Sequence, residues 1–274
     1  MTIGEVLAPV RERYADWLGL GEDAVVEDRH EDPGEVRAIQ LVLRMERDGS
    51  PVHEHALALA ATGCALLCLD PRSAAGGEWH EAVAAYGGVH IRKVTRRARG
   101  AQWQATADLP GLTLTDDAGD GQARTEIRVL VPGLVTDLDK RVAKLQVGGT
   151  DLPRGEAADR PRTRLRASAP ELICTVPAAL GMTTGKLMAQ AGHAGMLAAA
   201  LAAGTDPDLL QRWYDAGCPA RVVTTDAKTW AVLGASIADP ATAWRSHHRL
   251  AVRDAGYTEV DPGTVTVIAQ LEDG

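Results

Sequence analysis

Lys186, Gln190 and His193 stand at positions i, i+4 and i+7. On a helix that spacing sets an ammonium, a carboxamide and an imidazole in a row along one face. Their neighbours Leu187, Met188, Ala191, Ala194 and Leu197 are apolar or small and suit packing against a sheet. The apolar run Leu172-Ile173-Cys174-Thr175-Val176 predicts a short buried strand, and the alanine-rich stretch from Leu187 to Ala203 predicts a helix. Between them lies the glycine-punctuated loop Gly181-Met182-Thr183-Thr184-Gly185, which places Lys186 where the helix begins. The first turn of a helix exposes unpaired N–H groups and the positive end of the dipole. A lysine there favours an anion, either a phosphate or a developing oxyanion. It is no nucleotide-binding P-loop, because only three residues separate Gly181 from Gly185 and Leu187 follows the lysine. A purely structural reading stands beside the chemical one: a buried helix with a snorkelling lysine and a hydrogen-bonded core histidine.

A second stretch runs from Arg253 to Ile268 as Arg-Asp-Ala-Gly-Tyr-Thr-Glu-Val-Asp-Pro-Gly-Thr-Val-Thr-Val-Ile. Arg249–Val252 and Thr264–Ala269 alternate as strands on either side of a tight connection. Together the two stretches resemble the type 2 peptidyl-tRNA hydrolase family. Lys186, Ala189, Gln190, His193 and Ala194 match its first signature in register. Asp254, Ala255, Gly256, Thr258, Pro262, Gly263 and Thr264 match its second. Trp213 and the Gly217–Val223 run look like the family's helix end and second strand, so the resemblance spans about residues 171–270.

The resemblance implies hydrolysis of the ester between a peptide and the terminal ribose of tRNA, with no cofactor and no metal. An ester is activated, so a positioned water, a base and oxyanion stabilisation suffice. It implies catalytic parts for Lys186 (oxyanion or phosphate), Asp254 (positioning or deprotonating water, or orienting Lys186), Gln190 and Thr258 (positioning substrate). His193 either shuttles a proton or makes a structural hydrogen bond. Thr184, Gly185, Gly256 and Thr264 are expected to line the substrate site. The chain departs from the family in its loop, where only Lys186 is basic, and in Pro177-Ala178-Ala179, which replaces the usual arginine and aspartate. Both changes weaken the expected grip on tRNA phosphates.

The remaining chain must position these residues. Its 274 residues are 24% charged and 45% hydrophobic with net charge −8, which bounds a soluble chain of one or two domains. Cys64, Cys68, Cys174 and Cys218 read as free buried thiols, which points to a reducing, cytoplasmic setting. No run is expected to span a membrane, and the charged N-terminus does not read as a signal peptide. Val6, Leu7, Val10, Tyr14, Trp17 and Leu18 form an apolar helical stripe.

The order of elements repeats. Ile39–Leu43 aligns with Glu171–Thr175 at an offset of 132, Trp79-His80-Glu81-Ala82 with Trp213-Tyr214-Asp215-Ala216 at 134, and Asp117-Ala118-Gly119 with Asp254-Ala255-Gly256 at 137. The expected fold is therefore α/β: a tandem duplication of a small domain, each copy a mixed four-stranded sheet with helices on both faces. The expected divisions are an N-terminal helix and acidic loop (1–35), a degenerate copy (36–135), a helix and linker (136–169) and a catalytic copy (170–274). At the 132 offset Glu54, Ala58 and Ala61 face Lys186, Gln190 and His193, so the first copy reads as having lost the polar face. Its basic run Arg92–Arg99, with Trp103 nearby, is either a guarded strand edge or a nucleic-acid contact. The two copies are expected to pair as an intramolecular pseudo-dimer. A repurposed ester or amide hydrolase and a non-catalytic tRNA- or protein-binding module are the alternative functions.

Overall fold

The computed structural model describes residues 3–19, 32, 34–47, 49–116, 124–154, 169–256 and 258–274, with only the backbone described for 15–19. After a short 3-10 turn at Glu5–Leu7 come α1 (Ala8–Gly19), β1 (Arg37–Arg44), α2 (His53–Leu69), α3 (His80–Gly87), β2 (Arg92–Ala98), α4 (Gly100–Ala105), β3 (Gly111–Asp116), β4 (Thr125–Leu130), β5 (Gly133–Leu134) and α5 (Lys140–Ala143). The second half holds β6 (Glu171–Pro177), α6 (Thr184–Thr205), α7 (Pro207–Asp215), β7 (Ala220–Thr225), α8 (Ala227–Ala235), α9 (Pro240–His247), β8 (Arg249–Arg253) and β9 (Val265–Glu272).

Two mixed sheets result, each flanked by helices. The first runs β2-β1-β4-β3 and the second β7-β6-β9-β8. In both, the first strand pairs in parallel with the second (β1–β2, β6–β7) and antiparallel with the fourth (β1–β4, β6–β9), and the third pairs antiparallel with the fourth (β3–β4, β8–β9). Two sheets with one strand order and one set of directions fit a duplication. The first sheet differs from the four-stranded expectation by a fifth strand, β5, which pairs with β1.

Helices α2 and α6 pack against each other, and one apolar core runs through both units. It joins Leu41, Leu57 and Ile127 to Leu172, Met188, Met196, Trp213 and Val267. Small residues allow the approach: a Cβ on Gly195 would lie 2.1 Å from the Ala61 carbonyl oxygen. At 22 residues, α6 is long and apolar enough to cross a membrane, contrary to the expectation of no such run. Most of its surface is covered by protein, as suits a core helix. Val10 and Tyr14 of α1 are buried, and the Tyr14 hydroxyl accepts from the Ala251 N–H at 3.0 Å. The side chains of Trp17 and Leu18 lie outside the described residues.

The repeat needs three corrections. Lys186 is the third residue of α6, and the third residue of α2 is His55, so His55 and not Glu54 is its counterpart by position in the helix. The same register sets Leu59 and Thr62 opposite Gln190 and His193. The cause is a slip of one residue in the strand-to-helix loop. Asp116, at the end of β3, stands where Asp254 follows β8, and its Oδ2 lies 3.1 Å from His55 Nδ1. The Asp117-Ala118-Gly119 run lies outside the described residues. Lastly, Trp79 precedes α3 while Trp213 lies in the last turn of α7, so these tryptophans are not equivalent.

Candidate active site

The loop before α6 ends in Thr183, whose extended backbone and side chain cap the helix by accepting from the Lys186 N–H at 3.3 Å. The helix therefore starts at Thr184, earlier than its alanine-rich pattern suggested. Asp206 and Pro207 end it by starting α7, with Asp206 Oδ1 accepting from the Leu209 N–H.

Lys186, Gln190 and Asp254 meet, as their spacing and the second motif implied. Lys186 Nζ lies 2.5 Å from Asp254 Oδ2 and donates to the Thr258 hydroxyl at 3.2 Å. Gln190 Nε2 donates to the same Asp254 oxygen at 2.8 Å, and the Gly256 N–H donates to Oδ1 at 2.7 Å. The Asp254 side chain is 5% exposed and that of Lys186 is 13% exposed, so the amine forms the mouth of the cluster and the carboxylate its floor. With donors on both oxygens, Asp254 is built to orient the amine and the amide.

The connection from β8 to β9 holds this floor in place. The Asp254 N–H donates to the Thr264 carbonyl at 2.9 Å, and the Gly263 N–H donates to the Asp254 carbonyl at 2.8 Å. Gly256 has φ +75°, and a Cβ there would lie 2.5 Å from the Pro262 ring. Only glycine accepts both that dihedral and that contact. Gly256 and Thr264 thus act through backbone geometry beside the cluster.

Three predicted residues are placed elsewhere. The Thr184 side chain is buried against the first unit: its hydroxyl lies 2.8 Å from His53 Nδ1 and accepts from the Leu152 N–H at 3.0 Å. The Gly185 carbonyl accepts from Thr95 Oγ1 at 2.8 Å. Neither residue faces the cluster mouth, because the first unit covers that side of the helix. His193 turns the same way, with Nδ1 3.2 Å from Lys93 Nζ.

Sequence reasoning also missed residues. Thr266 on β9 is fully buried and donates its hydroxyl to Gln190 Oε1 at 2.6 Å, fixing which way the amide points. Its only signal was its place in the strand alternation. Glu259 accepts from the Thr183 N–H and hydroxyl at 2.9 and 2.8 Å. Lys93 is buried with its amine on Tyr86 Oη and His193. The basic run is therefore not a solvated edge throughout: Arg96 bonds Gln40 and the Leu145 carbonyl, and Trp103 is buried beneath the Arg128 guanidinium at 3.8 Å.

Burial, then Lys93, then Lys186, hold the His193 imidazole well below its ordinary value, and burial lowers His53 as well. Both rings are neutral in the fold near pH 6.5, while the unfolded chain takes up protons there. Stability is therefore full above about pH 6.5 and falls as pH drops, by up to about 1.4 kcal/mol per pH unit for each ring. Thermal melts between pH 8 and 5 should show this fall, and His193→Gln should make it shallower. A stability independent of pH over that range would contradict the neutral, buried rings.

The sequence model of the family described as "Peptidyl-tRNA hydrolase PTH2" matches residues 171–271. A curated relative, "Probable peptidyl-tRNA hydrolase 2" of Schizosaccharomyces pombe (strain 972 / ATCC 24843), is 32% identical over 98 residues. That match covers 36% of this chain and 46% of the relative, so the chain spans less than half the length of the curated protein it matches. Residues 171–271 are a PTH2-like segment, and the segment contains the whole Lys186–Gln190–Asp254–Thr258 cluster.

Proposed function

We propose that the second unit hydrolyses the ester joining a peptide, or an N-blocked amino acid, to the terminal ribose of tRNA. The observation that carries the reading is the Lys186 amine held 2.5 Å from Asp254 at the mouth of a PTH2-like segment. Water adds to the acyl carbon as one of its protons passes through solvent to the leaving ribose oxygen, the second being released to solvent from the acid formed, and the oxyanion in between takes a hydrogen bond from Lys186. The acyl carbon–oxygen bond then breaks, leaving a carboxylate and a ribose hydroxyl. Asp254 orients the amine, Gln190 is held by Asp254 and Thr266, and the exposed Thr258 beside Lys186 positions water or substrate. His193 supports the helix from behind.

The first unit is proposed to complete an intramolecular pseudo-dimer, a reading supported by the packing of α2 on α6. A second reading, a hydrolase of another ester in a specialised pathway, is favoured by the single basic residue of the loop before α6 and by the net charge of −8. The test is turnover of the full chain on N-acetyl-aminoacyl-tRNA beside the same N-acetyl amino acid as a small methyl ester, at low salt. Cleavage of the tRNA ester in preference supports the first reading, and cleavage of the small ester alone supports the second. Binding of tRNA without cleavage of either would leave a binding module.

A further inference from the structure

The first unit and the segment after it reach α6 at two consecutive residues. His53 Nδ1 and the Leu152 N–H both meet the Thr184 hydroxyl, at 2.8 and 3.0 Å. The Thr184 N–H donates to Asp151 Oδ1 at 3.2 Å, and Thr95 Oγ1 donates to the Gly185 carbonyl at 2.8 Å. A Cβ on Gly185 would lie 2.3 Å from Thr150 Oγ1, so the surfaces touch. On the other side of the turn, Glu259 holds Thr183, and Thr183 caps the Lys186 N–H. Lys186 is the next residue after the pair that is gripped.

The first turn is the end of a helix whose N–H groups lack partners, and fraying starts there. The rest of α6 is largely buried in the apolar core and packs on α2. The hydrogen bonds with His53, Thr95, Asp151 and Leu152 converge on this buried first turn, where the root of the Lys186 side chain must be fixed. Two turns further on, Lys93 bonds His193 from the same strand as Thr95.

We infer that the first unit is a clamp on the active-site helix, with Thr95 and His53 as positioning residues for Lys186, so that the chemistry of the second unit depends on the first. The inference rests on the hydrolase reading for its catalytic consequence, but the clamp itself is measurable without turnover. The first variant is Thr95→Val in the full chain, which keeps the shape of the side chain and removes the donor. Thr95→Ser restores it. His53→Gln loosens the same turn from its other contact and serves if the valine variant folds poorly.

Three quantities are read: amide exchange over residues 184–189, acylation of the Lys186 amine by a small amine-reactive ester, and kcat against KM. Thr95→Val should speed exchange and Lys186 labelling in the first turn without changing exchange over residues 197–202. It should lower kcat about tenfold with KM altered by less than about twofold, since misplacing a catalytic group costs rate more than binding. Thr95→Ser should return all three toward the wild type. Exchange and labelling at the wild-type rate in both Thr95→Val and His53→Gln would overturn the clamp, as would a serine variant that behaves like valine. Faster exchange and labelling in a protein whose wild type cleaves no ester would support the clamp and overturn the hydrolase reading.

Discussion

Replacing Lys186 by alanine should lower kcat for ester cleavage about 10²- to 10³-fold, the usual cost of removing one donor from a developing oxyanion. The fold should survive. The amine sits at the mouth of the cluster, where water can take its place. Asp254 keeps its hydrogen bonds from Gln190 Nε2 and the Gly256 N–H. The loss of a charged hydrogen bond should cost about 1.5–3 kcal/mol, visible in a thermal melt but short of unfolding. Because the amine is aimed at charge that develops in the transition state, the loss should appear in kcat and kcat/KM together. A folded Lys186→Ala protein with wild-type turnover would remove the amine from the reaction.

The second large effect is on the fold. Gly195→Ala should destabilise the protein by about 3 kcal/mol, at the upper end of overpacking costs, and lower Tm by roughly 6–12 °C. The added Cβ would lie 2.1 Å from the Ala61 carbonyl oxygen and 2.7 Å from its carbon. Both are backbone atoms of α2, so no rotamer change relieves the contact, and the two helices must separate. The direction is diagnostic, because alanine is the better helix former by about 1 kcal/mol. Gly234 in α8 has open space where its Cβ would be, so Gly234→Ala should stabilise slightly. Equal, small stabilisation by both substitutions in thermal melts would mean that α2 and α6 do not meet as described.

What was legible in the sequence follows from how locally each feature is determined. The strand–loop–helix of the second unit carried strong local signals: an apolar run, a glycine-punctuated loop and a long alanine-rich helix. The Lys186–Gln190 face came from helical spacing alone, and Asp254 joined it through the second motif. The contacts of the first unit with α6 were not legible, because they join residues about 90–131 positions apart in the chain. Thr184 and Gly185 looked like an open loop for that reason, and Lys93 looked like a guarded edge. The repeat was visible, but its register slipped by one residue at the helix, which hid the His55–Asp116 pair behind Glu54 and Asp117. A pairing of tryptophans misled because the two residues sit at opposite ends of their helices.

The central proposal is that water cleaves an acyl ester on tRNA while the Asp254-oriented amine of Lys186 stabilises the oxyanion. Single-turnover cleavage of N-acetyl-aminoacyl-tRNA by the wild type beside Asp254→Asn, at matched occupancy, tests it most directly. The asparagine variant keeps the size of the side chain but turns one acceptor oxygen into a donor facing either Lys186 and Gln190 or the Gly256 N–H. The account predicts release of the N-acetyl amino acid by the wild type and a rate at least about 100-fold lower in the variant, with tRNA still bound. Equal rates in the two proteins, or a folded wild type that binds the substrate and releases nothing, would contradict it.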